Sequence, residues 1–169
     1  QTPANEYYLI GHFQTLANAD TDLTLIKLDA AGQVLWQRFF DEELDQQAKR
    51  IRLHPDGTIW VLASTIIDDH GQLQERSRLL RFLQTGILLN AYTIGAAYDR
   101  PVDLSIASDG NLVVLSDQGL TSSNFEDDLV LRKLNGNGIE LWENTYGGPF
   151  GEHAGALIQT ADGGFAMTA

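Results

Sequence analysis

The chain has 169 residues, 43% of them hydrophobic, which suits one globular domain with an apolar core. Its net charge of −12 comes from 23 acids and 11 bases, so a nucleic-acid backbone is not an expected partner, because that binding rests on clustered Lys and Arg. Cysteine is absent, which excludes disulfides, thiolate metal sites and a Cys nucleophile; no run of about 18 apolar residues is present to span a bilayer. The first residue is Gln1 and no charged-then-apolar leader follows it, so the natural start is expected to lie elsewhere.

In chain order, Tyr7-Tyr8-Leu9-Ile10 is the first apolar run, and a hairpin follows from Asp22 to Trp36. Its turn carries Lys27-Leu28-Asp29 with Gly32, and Trp36 comes four residues after that glycine. The next stretch predicts four strands, roughly 48 to 53, 58 to 64, 77 to 83 and 87 to 94. They are joined by Pro55-Asp56-Gly57, a longer loop at 65 to 76, and Gln84-Thr85-Gly86. Further on come Leu112-Val113-Val114-Leu115, then a second hairpin with Lys133-Leu134-Asn135, Gly138 and Trp142, and last Gln159-Thr160 through Phe165-Ala166-Met167, similar to the opening residues.

The order repeats. Asp56-Gly57, Asp109-Gly110 and Asp162-Gly163 recur at intervals of 53, and Ile51, Leu104 and Leu157 keep the same register. The middle copy has Asn90 where the others have Trp36 and Trp142, so it is the most diverged. The approximate units are 1–47, 48–100, 101–153 and 154–169, the last being the start of a further one. The second strand of each unit is apolar without alternation, which predicts burial of both its faces. Four-stranded antiparallel sheets stacked face to face around an axis provide that, whereas a two-layer sandwich leaves one face wet. The fold expected is all-β, a β-propeller with about three four-stranded antiparallel blades of about 53 residues in a partial ring. Propellers close with about four to eight blades, so the chain is expected either to belong to a longer polypeptide that supplies the missing blades or to assemble with copies of itself.

Thr160-Ala161-Asp162-Gly163-Gly164-Phe165, together with Asp128 to Asn135, Gly138 and Trp142 through Tyr146-Gly147-Gly148, resembles the repeat of bacterial secreted β-propellers. That repeat has a DGG-aromatic turn and a KLD-x-x-G-x-x-x-W hairpin, and is distantly similar to pyrroloquinoline quinone repeat propellers. The resemblance covers essentially the whole chain. It implies one blade per unit and a secreted, periplasmic or cell-surface location. It also implies a non-catalytic binding or structural scaffold within a larger protein. The alternative is part of a propeller enzyme, polysaccharide-active or quinone-dependent, with its active site on the ring axis. Leu35-Trp36 and Leu141-Trp142 resemble the tryptophan-docking motif of quinone-dependent blades, but that motif reports packing between blades.

Motifs with chemistry are scarce. Thr160-Ala161-Asp162-Gly163-Gly164 resembles the sialidase-type turn once, and Asp-Gly is the pair that tight turns demand for positive φ angles. Asn135 to Gly138 and Asp29 to Gly32 offer too few oxygens for a calcium loop. His12, His54, His70 and His153 lack zinc or triad spacing. No catalytic residue, cofactor or metal is therefore expected. One candidate binding face remains. Most acids fall on the longer loops that emerge at one end of the units, among them Asp20, Asp22, Asp45, Asp68, Asp69, Asp99, Asp127, Asp128 and Glu152. Such a face would attract a cation or a basic protein.

Overall fold

The computed structural model describes residues 5–14, 21–41, 45–119 and 127–169. Among these residues there are thirteen strands and no helix, and every strand pairing is antiparallel. The first sheet is β1 (Tyr7–Gln14), β2 (Thr21–Leu28) and β3 (Val34–Phe40), side by side in chain order. The second is β4 (Asp45–Leu53), β5 (Ile59–Asp69), β6 (Gln72–Phe82) and β7 (Leu88–Ile94). The third repeats that order with β8 (Asp99–Ile106), β9 (Leu112–Gln118), β10 (Asp128–Leu134) and β11 (Glu140–Tyr146). The fourth has two strands, β12 (Ala156–Gln159) and β13 (Phe165–Thr168). The sheets stack in sequence and do not close into a ring.

One turn design closes six hairpins. Asp29, His54, Leu83, Ala107, Asn135 and Thr160 each accept a hydrogen bond from the glycine three residues on and donate to the carbonyl four residues on. All six glycines have φ between 71° and 88°, the left-handed position that a type I turn followed by a bulge requires. The Asp of each Asp-Gly pair does not share that conformation, contrary to the sequence expectation. Its carboxylate works instead as an Asx cap, accepting from the amides of Thr58, Asn111 and Gly164 at 2.8, 3.1 and 3.1 Å.

The longer loop expected at 65 to 76 is a strand pair. Strands β5 and β6 continue to Asp69 and Gln72, which pair with each other across a two-residue turn. His70 (φ 56°) and Gly71 (φ 84°) supply the two positive angles of a type I′ turn, and Gly71 N–H donates to Asp68 Oδ1 at 2.6 Å. The polar Gln72-Leu73-Gln74-Glu75 hid this strand, because the hairpin tip extends past the apolar core and needs no buried side chains there.

Three apolar layers separate the four sheets. Leu23 and Leu25, with Tyr8, Ile10 and Trp36, pack against Ile59, Val61, Ala63, Leu80 and Phe82. Trp60, Leu62 and Leu79 pack against Leu104, Leu112, Val114 and Leu134. Leu115, Leu129 and Leu131 meet Leu157, Phe165 and Met167. Successive residues of β5 thus enter different layers, and all of Ile59 to Ala63 are at most 2% exposed. Strand β9 repeats this from Leu112 to Leu115. Each such side chain contributes about 1.5–3 kcal/mol on burial. Strand β1 departs from the expectation: Tyr8 and Ile10 enter the first layer, but Tyr7 and Leu9 are 38% and 48% exposed, because no sheet covers that face.

Between sheets the outer strands carry large aromatics. The ring of Trp36 lies over Gly86, where an added Cβ would stand 3.0 Å from it. Trp142 meets Phe165 with ring centroids 6.2 Å apart. In the middle unit Tyr92, two residues beyond Asn90 and so on the same strand face, takes this place over Gly138 and stacks on Trp60 at 6.2 Å. At the inner margin β4, β8 and β12 are successive neighbours. Asp103, 5% exposed, ties all three: its carboxylate accepts from Arg50 and Arg52 of β4, from its own neighbour Leu104 N–H, and from Leu157 N–H of β12.

Candidate functional site

At the end of the sheets opposite the six hairpins, the acidic residues singled out from the sequence have different fates. Asp20 lies outside the described residues, and of Asp69 only the backbone, paired with Gln72, is described. Asp22 and Asp45 stand at the seam of the first two sheets, Asp22 fully buried and Asp45 accepting from Thr21 N–H at 2.7 Å. Asp68 is exposed at the β5–β6 tip, where it caps the turn. Asp99, Asp127, Asp128 and Glu152 gather around the third sheet. Asp99 is 0% and Asp127 2% exposed, Asp128 is half-buried beside Gly147, and Glu152 accepts from Gly148 N–H at 3.3 Å.

Of these, Asp22, Asp99 and Asp127 are interior residues, not solvent-facing loop carboxylates. For Asp99 the physical reason is a cation that the sequence reading missed. Arg132, 1% exposed, projects from β10 into the layer between the second and third sheets and pairs with Asp99. It also donates to Ser116 Oγ at 3.0 Å, Gln118 Oε1 at 3.3 Å and Glu143 Oε2 at 2.5 Å. Ser77 O–H donates to the other oxygen of Asp99. Burial pushes the Asp99 carboxyl up, against the opposing pull of the Arg132 guanidinium and the hydrogen bonds from Ser77 and Ser116. One sequence signal was present: Arg132 stands where the other units have Ile26 and Leu80, so a charge occupies an apolar register position.

A second group adjoins the first. Arg100 pairs with Asp127, Asp117 accepts from Ala154 N–H at 2.7 Å, and His153 Nδ1 is 3.7 Å from a carboxylate oxygen of each. Asp127 Oδ1 is buried without a hydrogen-bond partner among the described residues. Nearby, Ile66, Leu73, Glu75, Tyr98 and Arg100 line a shallow cleft. Tyr98 holds a φ of 61°, which costs a non-glycine residue about 1–3 kcal/mol. Among the described residues no group of three or more His, Cys, Asp or Glu is arranged to hold a metal ion. The buried carboxylates thus organise the end of the third sheet through ion pairs and backbone hydrogen bonds, and Asp68 and Glu152 are left near the surface.

The hairpin end holds a periodic set of charges. Arg81 Nη2 reaches Asp56 at 2.7 Å and Lys133 Nζ reaches Asp109 at 2.6 Å, third-strand cations on first-turn carboxylates in both units. Hydrogen bonding from Lys133 holds the Asp109 carboxyl down at about 2. Burial pulls Asp56 upward, but bonds from Thr58 and His54 outweigh it and leave its carboxyl well below the usual range. His54 Nε2–H donates to Gly110 O at 2.8 Å, which links the turns of adjacent sheets. No known protein-family model matches this chain, and no curated protein matches it.

Proposed function

We propose that the chain is a run of β-propeller blades serving as a non-catalytic binding or structural scaffold in a secreted or surface protein. Further blades, from the same polypeptide or from copies of this chain, complete the ring. One comparison carries the reading. Tyr7 and Leu9 occupy the register positions of Ile59 and Val61, which are 0% and 2% exposed beneath the preceding sheet, yet they stand 38% and 48% exposed. Phe39, 59% exposed, adds to the uncovered face. Apolar side chains at positions that are buried elsewhere in the same repeat fit a face made for one more sheet. The resemblance of the repeats supports the propeller form and the extracellular setting. The residual surface acids at the opposite end support a cation or a basic protein as partner.

Light scattering coupled to size-exclusion chromatography, together with binding of a hydrophobic dye, tests the scaffold reading. The expected result is either a multiple of the monomer mass or a monomer that binds dye, with Leu9→Lys abolishing whichever is seen. A monomer that binds no dye would overturn it. Titration calorimetry with calcium and with a basic peptide tests the acidic end; no heat at millimolar ligand removes that part.

A further inference from the structure

Four of the eleven Lys and Arg side chains are each matched to one carboxylate. Lys27 pairs with Glu6, Arg81 with Asp56, Arg100 with Asp127 and Lys133 with Asp109. Strand β4 breaks the pattern. Arg50 Nε and Arg52 Nη2 both donate to the same oxygen, Asp103 Oδ1, at 3.0 and 3.1 Å, while the adjacent Lys49 has only the neutral Gln47 Oε1 at 3.4 Å. Two cations therefore share one carboxylate, with a third beside them on a neutral partner, in a chain whose net charge is −12.

The arrangement is also held in place. Residues two apart on a strand share a face, with side chains about 7 Å apart. Each guanidinium is fixed a second time by its Nη1, which donates at 3.0 Å to the carbonyl of the preceding residue, Lys49 or Ile51. Asp103 cannot swing away, because its other oxygen accepts from Leu157 N–H at 2.9 Å and its side chain is 6% exposed. The two side chains remain 42% and 39% exposed, with Arg50 Nη2 and Arg52 Nε unspent among the described residues. A buried carboxylate that orients two half-exposed guanidiniums lowers the ordering cost of meeting a further anion.

We propose that Arg50 and Arg52, clamped by Asp103 at the inner margin between the second and third sheets, bind an acidic ligand through its carboxylates. A planar carboxylate matches the guanidinium fork, and two neighbouring guanidiniums suit a ligand with two carboxylates a few carbons apart. The site lies wholly within the described sheets and does not depend on how a ring is completed.

The test is a titration of the intact chain with glutarate, with acetate and sulfate as comparison anions, read on the arginine side-chain Nε–H signals by NMR. The expected result is saturable movement of Arg50 and Arg52 with Arg38 unmoved. Glutarate should bind at least about tenfold more tightly than acetate or sulfate. Arg52→Lys keeps the charge but loses the fork, and should weaken glutarate about tenfold with an unchanged backbone spectrum. Arg50→Gln should remove saturation. Equal response to sulfate and glutarate would show simple ionic attraction and overturn the proposal. So would movement that never saturates, or an Arg52→Lys variant that binds as the parent does.

Discussion

The two ends of the sheets are built on different principles. At the hairpin end one turn serves six times, with its glycine at positive φ, its Asx cap in the Asp-Gly copies, and a cation from the third strand set on the first-turn carboxylate in two consecutive units. At the other end the charges that matter are buried and not periodic, as with Asp99 and Arg132. Repetition spreads stability over many small, interchangeable contributions. A single buried network concentrates it in a few groups that cannot be removed singly.

The sharpest break in that contrast is Arg132→Gln. Removing one partner of a buried pair strands the other, so this variant should lose about 3–5 kcal/mol in urea unfolding. Asp99→Leu combined with Arg132→Leu should recover much of the loss, which tells a desolvated pair from a merely well-packed site. Next in size is Gly138→Ala. Its φ of 71° and the Tyr92 ring 2.6 Å from an added Cβ predict a cost of about 2–4 kcal/mol. Gly163→Ala, with a φ of 88° and nothing within 4 Å, should cost only about 1–2 kcal/mol for the same turn. Near equality of the two would show that Tyr92 yields easily.

Acid separates the two ends by sign. Asp109 is held below its unfolded value, so its contribution is present above about pH 4 and fades as pH falls through about 2. Because its side chain is 49% exposed, the amount is a few tenths of a kcal/mol. Asp99 is pushed the other way, so its contribution is present below the unfolded carboxyl value and lost as pH rises through the raised folded one. Melting temperatures of Asp109→Asn and Asp99→Asn, each against the parent from pH 2 to 7, should diverge from it in opposite directions with pH. Smallest of all is Lys133→Met. Its bond to Asp109 is near the surface, and the expected loss is at most about 0.5 kcal/mol.

The same division explains what the sequence made legible. Strand number, antiparallel order and the hairpins at Gly32, Gly57, Gly86, Gly110, Gly138 and Gly163 follow from short-range rules, since a turn glycine and an apolar run carry their meaning locally. Burial of both faces of β5 and β9 was readable from their unbroken apolar runs. The same pattern in β1 misled, because burial of its second face depends on a neighbouring sheet that the pattern does not contain. The β5–β6 tip was missed because its turn is His70-Gly71, an uncommon pair for two positive φ angles. In the candidate site, the acids were visible as composition, but which of them face inward depends on partners distant in the chain, as Asp99 depends on Arg132 some thirty residues away. Tyr92 shows the limit on aromatics: the middle unit lacks the Trp at Asn90, yet a ring two residues along the strand fills the same gap.

The outer aromatics have a geometrical consequence. Consecutive sheets meet closely along β4, β8 and β12, where Asp103 draws the strands together, but are held apart at the outer strands by Trp36, Tyr92 and Trp142. Each pair of sheets is therefore a wedge, narrow inside and wide outside, whose opening is set by the bulk of one ring. Exchanging an indole for a phenol on one outer strand is then a change in the angle between two sheets.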